Sequence, residues 1–449
     1  MQIRLSDHFT TKRLLRFVLP SVVMMVFTSV YGVVDGFFVS NYTGKTAFAG
    51  VNLIMPFIMI LSTPGFLIGA GGTALVSKTL GEGDKKRANE LFSLMVYTVI
   101  AVGALFLILG QIFLRDVALF LGADEAMLPY CVTYGRIGLL SLPFFMLQNV
   151  FQSFFVAAER PRLGLAVTVG AGVANMALDF LFVGAFRWGV AGAAAATAVA
   201  EFTGGAVPLG YFFAKNTSLL RLGKTRFDGR ALLKTVTNGA SELMTNVSMS
   251  LVNMLYNRQL IRFFGENGVA AYGVIMYVNF VFLSIFFGFS MGVAPVIGYH
   301  YGAKNRPELQ NLFKKCAAFI LAAGLAMFAL AQLAAGTTAK IFTGYDAGLQ
   351  ALTATAFRLY TTSYLIKGFN IFGSAFFTAL NNGGVSAAIS FSRTLLFQAA
   401  SIFALPALFG ANAIWTAVTA AELCAVCLTA ALTITQNKKY GYLPERKGR

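Results

Sequence analysis

The sequence predicts an all-α, polytopic membrane protein with twelve transmembrane helices in two six-helix lobes, related by a pseudo-twofold axis along the membrane normal. Three observations lead to this fold class. Hydrophobic residues make up 57% of the 449 residues and charged residues only 12%, which is too few to cover a soluble globule. Long apolar runs occur twelve times, and the second six runs repeat features of the first six.

The apolar runs are long enough to cross a bilayer, which takes about 20 residues each. In the first half they fall at about 14–39, 47–76, 91–114, 130–156, 163–185 and 190–213. In the second half they fall at about 232–261, 268–299, 312–334, 350–379, 385–408 and 412–436. We therefore expect an N-terminal lobe over residues 1–214, a basic cytoplasmic linker over 215–231 and a C-terminal lobe over 232–449.

The basic residues orient these helices. The formal net charge is +17, and of the 35 Lys and Arg residues 25 lie on the side of the N-terminus and six on the opposite side. Because cytoplasmic loops carry the excess of Lys and Arg, we expect both termini in the cytoplasm and a multi-pass protein of a bacterial inner membrane. The same rule accounts for the positive charge, so no nucleic acid partner is expected.

The two halves align with each other along the chain. At a shift of 221 residues Gly81 matches Gly302, and Glu201 matches Glu422. Each half has six runs and begins on the same side of the membrane, so the repeat is a parallel one. Such repeats are typical of transporters, in which the substrate site lies between the halves and access alternates by rocking.

Polar residues in the outer half of the first lobe form a candidate ion-coupling site, since charges within the hydrocarbon are costly and mark function. Counting helical rise from the run ends places Asp35, Asp179 and Thr197 at similar depths. Asn175 precedes Asp179 by one turn on the same helix face. These groups would hold a proton, or bind Na⁺ at Asp35 and Asp179. The alternative is that both aspartates only form hydrogen bonds within the bundle.

Four further residues are candidates for substrate binding, namely Tyr31, Glu201, Glu242 and Lys367. The aspartate pair is not repeated in the second half, whereas Glu201 is. A shared packing or gating role for the repeated glutamates is therefore as consistent with the pattern as ion binding. Glu242 lies near mid-depth, where it would meet a cationic substrate or pair with Lys367.

Motifs of enzyme chemistry are missing from the sequence. The glycine-rich segment 69–72 lacks the Lys-Ser/Thr pair of a phosphate loop, and Cys424 and Cys427 lie in an apolar run without further metal ligands. We therefore expect no enzyme activity, no metal centre and no cofactor other than the coupling ion, H⁺ or Na⁺.

Two motifs resemble those of a known family. The first run contains Tyr31-Gly-Val-Val-Asp-Gly-Phe-Phe-Val39, and the second closes with Gly69-Ala-Gly-Gly-Thr-Ala-Leu-Val-Ser-Lys-Thr-Leu-Gly-Glu-Gly-Asp84. Together with the twelve spans and the six-plus-six repeat, they resemble the MATE (multidrug and toxic compound extrusion) family of the MOP superfamily over the whole chain.

The resemblance implies an exporter of small organic cations that is driven by inward flow of H⁺ or Na⁺. The DinF-like branch has an N-lobe site made of a helix 1 Asp, an Asn and an Asp on helix 5, and a helix 6 Thr, which match Asp35, Asn175, Asp179 and Thr197. The NorM-like branch uses acids of the C-lobe, including one on helix 10, where this sequence has Lys367. The DinF-like branch is therefore the better match.

One alternative function remains open within the same superfamily. A flippase or exporter of a lipid-linked or anionic metabolite would require a cationic cavity, for which Lys367, Arg393 and Arg136 are candidates. In either case we expect a monomer in contact with membrane lipid.

Overall fold

The computed structural model describes residues 3–444, and every regular element in that range is a helix. Three of the basic residues assigned to the cytoplasmic side, Arg446, Lys447 and Arg449, lie outside the described residues. The helices are numbered α1 to α12 by the membrane crossing that each one makes.

The first half consists of six helices whose positions match the six predicted runs. They are α1 Thr11–Tyr42, α2 Lys45–Gly81, α3 Lys85–Phe120, α4 Leu128–Ala157, α5 Pro161–Ala185 and α6 Gly189–Phe213. Most extend a few residues beyond the apolar run, because the backbone groups of the flanking polar residues continue the helical hydrogen bonds. The last six residues of α5, Phe180–Ala185, form a π-helical turn.

The second half begins with a helix of 74 residues, Gly229–Gly302, which is interrupted at Gly265. There φ is 59° and ψ is −148°, a conformation open to glycine but strained for other residues. The break divides the helix into α7 (229–264) and α8 (266–302), in agreement with the two runs predicted from the sequence. α9 follows as Arg306–Thr343.

The last three spans are irregular. α10 has two parts, Ala347–Thr361 and Tyr364–Ala379, α11 is Gly383–Phe409 with a π-helical turn at Ser392–Leu396, and α12 is Ala411–Tyr440. Ten helices of the described range are long and apolar enough to cross a membrane. Dividing one at Gly265 and adding the two-part α10 gives the twelve spans that the sequence predicts.

The outer surface of the bundle is apolar, as lipid contact requires. Ile112 of α3 is 63% exposed and Leu333 of α9 is 82% exposed. These two residues occupy matching positions in the two halves, so both halves present the same kind of face to the bilayer. Aromatic residues fill the interior of the first half, where Phe92, Phe154 and Phe212 are fully buried.

Several residues that match between the halves are helix caps. Asp84 accepts a hydrogen bond from the Arg87 N–H at the start of α3, and Asn305 accepts one from Glu308 at the start of α9. The Asp124 and Asp346 carboxyls do the same before α4 and α10. A side-chain acceptor at this position satisfies an N–H that the helix cannot bond, so the repeat at these positions preserves local structure.

Glycine contacts join the halves near the end of the bundle where α1 begins and α12 ends, called the basic end. A Cβ atom at Gly71 of α2 would lie 2.7 Å from the Gly239 nitrogen of α7. At the matching position in α8, a Cβ at Gly292 would lie 2.7 Å from a side-chain carbon of Val18 of α1. Helices approach this closely only where one of them has no side chain.

Three glycines toward the opposite ends of α1 and α8 make no such close contact. A Cβ atom added at Gly32 or Gly36 of α1, or at Gly273 of α8, would meet no atom within 4 Å. The close glycine contacts between the halves thus lie toward the basic end, and a bundle joined at one end is one of the two arrangements that alternating access requires.

The chain before α1 bridges the halves at the basic end. The Leu5 N–H donates to Glu159 of the first half at 2.6 Å, and the Phe9 N–H donates to Glu308 of the second half at 2.9 Å. The His8 ring also lies 2.5 Å from Glu308. This segment therefore belongs to the closed interface.

The segment between α6 and α7 lies along α3. The Arg221 N–H donates to Asn89 at 2.6 Å, and the Thr225 hydroxyl donates to the Glu90 carbonyl at 2.8 Å. Asp228 then caps α7 and forms an ion pair with Arg87 of α3. The predicted linker, 215–231, is therefore bonded to the first half over much of its length.

Candidate functional site

The candidate coupling site lies between α1, α5 and α6. Asp35 of α1 accepts a hydrogen bond from the Thr197 hydroxyl of α6 at 3.2 Å. The carboxyl groups of Asp35 and Asp179 are close enough to interact electrostatically, and both carboxyl oxygens of Asp179 are buried without a hydrogen-bond donor among the described residues. Asp179 is completely buried and Asn175 is 1% exposed. The structure thus brings together all four residues that the sequence predicts for this site.

Two helix irregularities position these groups. α5 changes from α- to π-helix directly after Asp179, which alters the direction of the residues that follow. At Gly172 of α5, an added Cβ would lie 2.5 Å from Phe27 and 2.9 Å from Tyr31. The absence of a side chain at Gly172 therefore lets α1 and α5 approach at the depth where Tyr31 and Asp35 lie.

Three residues of α4 complete the cluster, and sequence reasoning missed them. Tyr134, Ser141 and Gln148 are seven residues apart, or about two turns, and so share one helix face. Tyr134 lies near Thr197, and Gln148 lies near Tyr31. The periodic spacing of polar residues in an otherwise apolar run is the signal that could have found them.

Glu201 belongs to the same cluster. Its carboxylate accepts a hydrogen bond from the Ser141 hydroxyl at 2.6 Å, and it lies in the electrostatic field of Asp35. Among the described residues, no Lys, Arg or His forms an ion pair within 4 Å of Asp35, Asp179 or Glu201. Three neighbouring carboxyl groups without a base, one of them completely buried, favour bound protons or cations for charge balance.

The chemistry of the Asp35–Asp179 pair follows from the two groups being neighbours. Two ionised carboxylates are both acceptors and repel each other, so a proton on one of them would let it donate a hydrogen bond to the other. A small cation held between them would relieve the same repulsion, with Thr197 and Asn175 supplying further oxygen ligands. Both Asn175 side-chain atoms are buried without a hydrogen-bond partner, so they are available for such a role.

The matching glutamate of the second half has different surroundings. Glu422 of α12 is fully buried and accepts a hydrogen bond from Asn370 at 2.7 Å. Arg393 lies 3.4 Å from the same carboxylate, and Thr429 donates to Asn370. Glu422 is thus compensated by a base within the protein, whereas Glu201 is not.

Glu242 and Lys367 both lie in the second half, but they do not form an ion pair within 4 Å in the described structure. The base that acts on Glu242 is Arg393. Lys367 lies 3.4 Å from the Asn279 side-chain oxygen and over the rings of Tyr360 and Tyr364. Of the two roles that the sequence leaves open for Glu242, pairing with Lys367 is absent from this arrangement.

The remaining reactive groups do not assemble into a centre. Cys131 and Cys316 are buried and Cys424 and Cys427 are exposed, all four as free thiols. Within residues 3–444 no group of three or more His, Cys, Asp or Glu side chains is arranged to hold a metal ion.

Comparison with known proteins decides the family. The sequence profile of the MatE family matches residues 20–181 and again residues 243–403. The chain belongs to the MatE family. Because one match lies in each half, the comparison also reproduces the internal repeat. Members of this family are transporters, so this MatE protein is a multi-pass membrane transporter and not an enzyme.

Relatives of this MatE protein cover nearly all of its length. It is 24% identical to the multidrug export protein MepA of Staphylococcus haemolyticus over 418 residues, or 92% of this chain and 91% of that protein. It is 25% identical to MepA of Staphylococcus aureus over 425 residues, which cover 92% of each chain.

Solved structures share its fold. A MATE family transporter of the MOP superfamily in an outward-facing conformation superposes with a TM-score of 0.91 at 21% identity, covering 97% of each chain. A MATE structure in complex with MaL6 gives a TM-score of 0.91 at 20% identity, covering 97% of this chain and 98% of the other. The twelve-helix, two-lobe fold expected from the sequence is confirmed.

Proposed function

We propose that this MatE protein is an antiporter that exports small organic cations, including drugs, by alternating access, driven by entry of H⁺ or Na⁺. The observation that carries the proposal is the cluster of three interacting carboxyl groups, Asp35, Asp179 and Glu201, which has no base within 4 Å among the described residues. The relatives named multidrug export proteins support the export of drugs.

The coupling ion would bind at Asp35, Asn175, Asp179 and Thr197, as in the DinF-like branch. Binding between the two carboxylates favours the arrangement in which α1 and α5 are close. An ion couples to transport only if it binds the two states of the protein unequally. The approach of α1 to α5 at Gly172 supplies a physical difference of that kind.

Tyr31, Glu201, Glu242 and Lys367 would contact the substrate. Tyr31 and Tyr134 flank the carboxylates and would offer aromatic faces to an organic cation. Because Glu201 lies in the electrostatic field of Asp35, a proton on Asp35 would lower the affinity of Glu201 for a cation, and a bound cation would lower the affinity of Asp35 for a proton. This mutual weakening would let the coupling ion and the substrate exchange.

The basic end would face the cytoplasm, with both termini inside, in a bacterial plasma membrane. The excess of Lys and Arg at this end supports the orientation. The described arrangement, joined at the basic end, would then be outward-facing. We propose residues 1–214 and 232–449 as the moving lobes of a monomer surrounded by lipid.

The proposal is tested by flux of an organic cation such as ethidium into proteoliposomes under an imposed pH or Na⁺ gradient. Asp35→Asn keeps the side-chain size but removes the ionisable group, and Asp116→Asn makes the same change at an exposed position of α3. We expect gradient-driven flux in the parent and in Asp116→Asn, and its loss in Asp35→Asn.

Other results would contradict the proposal in distinguishable ways. Unchanged flux in Asp35→Asn would exclude Asp35 as the coupling residue and direct attention to Glu201 and Glu242. Absence of ethidium flux in the parent under either gradient, together with scrambling of a labelled lipid, would favour the flippase alternative.

The same assay distinguishes the two coupling ions. A pH gradient that drives flux where a Na⁺ gradient does not would identify H⁺ as the coupling ion.

A further inference from the structure

Lys367 of α10 is buried without a carboxylate partner. It is 3% exposed, and among the described residues no Asp or Glu lies within 4 Å of its ammonium group. Its one recorded hydrogen bond, to Asn279, is long at 3.4 Å. The Nζ atom lies 5.1 Å from the ring centre of Tyr360 and 5.7 Å from that of Tyr364. A buried ammonium has three donors, and here most of them have no acceptor.

The nearby carboxylate is already used by other groups. Glu422 acts on Lys367 at longer range, but its oxygens are bonded by Asn370 and Arg393. Arg393 also repels Lys367. Arg393 therefore takes up the nearby carboxylate Glu422 and also acts on Glu242, and within the described residues Lys367 has no carboxylate of its own.

Hydrogen-bond donors around Lys367 also lack acceptors. The Tyr364 hydroxyl, the Ser363 hydroxyl and the Nε atom of Arg393 are buried and have no partner. Each of these groups can donate a hydrogen bond, and Arg Nε can only donate. What the cluster lacks is an acceptor with negative charge.

The position of Lys367 is special to the second half and lies beside a break. At the repeat shift of 221 residues it falls on Met146, so the first half has no base there. The interruption of α10 between Thr361 and Tyr364 lies about one turn before Lys367. Discontinuous helices in transporters form binding sites at such depths.

We propose that Lys367 binds the carboxylate of a transported molecule, so that the preferred substrates carry an anionic group together with a cationic one. The inference rests on the proposed export function, in which the acidic cluster of the first half takes the cation. The two halves would then recognise opposite ends of one zwitterion. A carboxylate would receive the unused donors of Lys367, Tyr364 and Arg393.

A pair of dyes that differ at one group tests this assignment. Rhodamine B carries a free carboxylate beside its delocalised cation, and its ethyl ester keeps the cation but not the anion. Gradient-driven flux of both dyes is measured in proteoliposomes for the parent, Lys367→Met and Lys367→Arg. Arg358→Met is the matched control, because it removes a positive charge from an exposed position of the same helix, α10.

We expect Lys367→Met to raise the KM for rhodamine B by about tenfold, the effect of losing one charge-assisted hydrogen bond. The KM for the ester should stay within about twofold of the parent value, which also shows that the variant is folded. Lys367→Arg should retain most of the preference for rhodamine B, and Arg358→Met should leave both dyes unaffected.

Equal loss of flux for both dyes in Lys367→Met would assign the residue a structural role and overturn the proposal. Unchanged kinetics for both dyes would overturn it as well. If the parent transports the ester but shows no preference for rhodamine B that depends on Lys367, the carboxylate site is refuted and the export function is not. Absence of flux for both dyes in the parent contradicts the export function on which the inference rests.

Discussion

Replacing Gly239 by alanine tests whether the glycine contacts hold the basic end closed. The added methyl group would press on the Leu67 carbonyl oxygen of α2 and lie 2.7 Å from its carbonyl carbon. Backbone atoms within two helices cannot rotate away as a side chain can. Overpacking of this kind costs roughly 1–3 kcal/mol, and the cost applies only while the halves are in contact.

This penalty should appear as a shift in population between the two arrangements. A free-energy change of roughly 1–3 kcal/mol corresponds to a factor of about 5–150 in their ratio. The higher helix propensity of alanine acts in both arrangements and therefore cancels. Gly210→Ala is the matched control, because a Cβ at this position of α6 would meet nothing within 4 Å.

Distances between spin labels, measured by double electron–electron resonance, report the shift. The labels are placed by Lys86→Cys and Lys314→Cys, at exposed positions near the starts of α3 and α9, in a background without the four native cysteines. We expect Gly239→Ala to gain a population with a longer distance and Gly210→Ala to match the parent. A folded Gly239→Ala protein with an unchanged distribution would refute the reasoning.

Two further changes probe charged contacts. Arg393→Met leaves the buried Glu422 without its base and should lower the free energy of unfolding by roughly 3–5 kcal/mol. In the double variant Arg393→Met with Glu422→Gln no charge is left unpaired, so most of this loss should be recovered. Thermal unfolding measures both effects. Asp228→Ala removes the cap of α7 and should cost about 1 kcal/mol near neutral pH. Hydrogen bonds from the Ala231 N–H and Arg87 hold the pKa of Asp228 below its usual value, so its contribution is present above about pH 4 and is lost on further acidification. Unfolding at pH 7 and pH 3 should therefore differ less in Asp228→Ala than in the parent.

The lengths of the apolar runs and the repeat between the two halves predict most of the fold. Span number and approximate bounds follow from hydrophobic length, which the bilayer thickness makes a strong constraint. The matching residues of the repeat predict the symmetry, and many of them, such as Asp124 and Asp346, prove to be helix caps. Repetition at those positions records shared local structure.

Breaks within helices could not be predicted in the same way. The division of α10 at residues 362–363 and the π-helical turns after Asp179 and at Arg393 contain no proline. Without a proline or another breaking residue at these positions, a count of apolar residues along the chain gives no sign of them. Both π-helical turns lie beside buried charged groups, as is common at functional sites.

Part of the candidate site could be predicted from the depth of each residue in the membrane. Asp35, Asn175, Asp179 and Thr197 meet because three helices carry them to the same level. The partners of Lys367 and Glu242 were not predictable, because they depend on which helix faces meet. Glu201 and Glu422 show the same limit, since they match in sequence while only Glu422 has a base beside it.

The bonded course of the segment between α6 and α7 sets a mechanical limit on transport. Thr225 is bonded to α3 and Asp228 caps α7, so three peptide links, at most roughly 10 Å when extended, join the two halves. While the Thr225 bond holds, the start of α7 cannot move farther than this from α3. An exchange of one open side for the other, as proposed above, would therefore have to keep the start of α7 near α3. Residues inserted at 226–227 would lengthen this link, whereas an insertion at 217–223 would mainly disturb the bonds to α3.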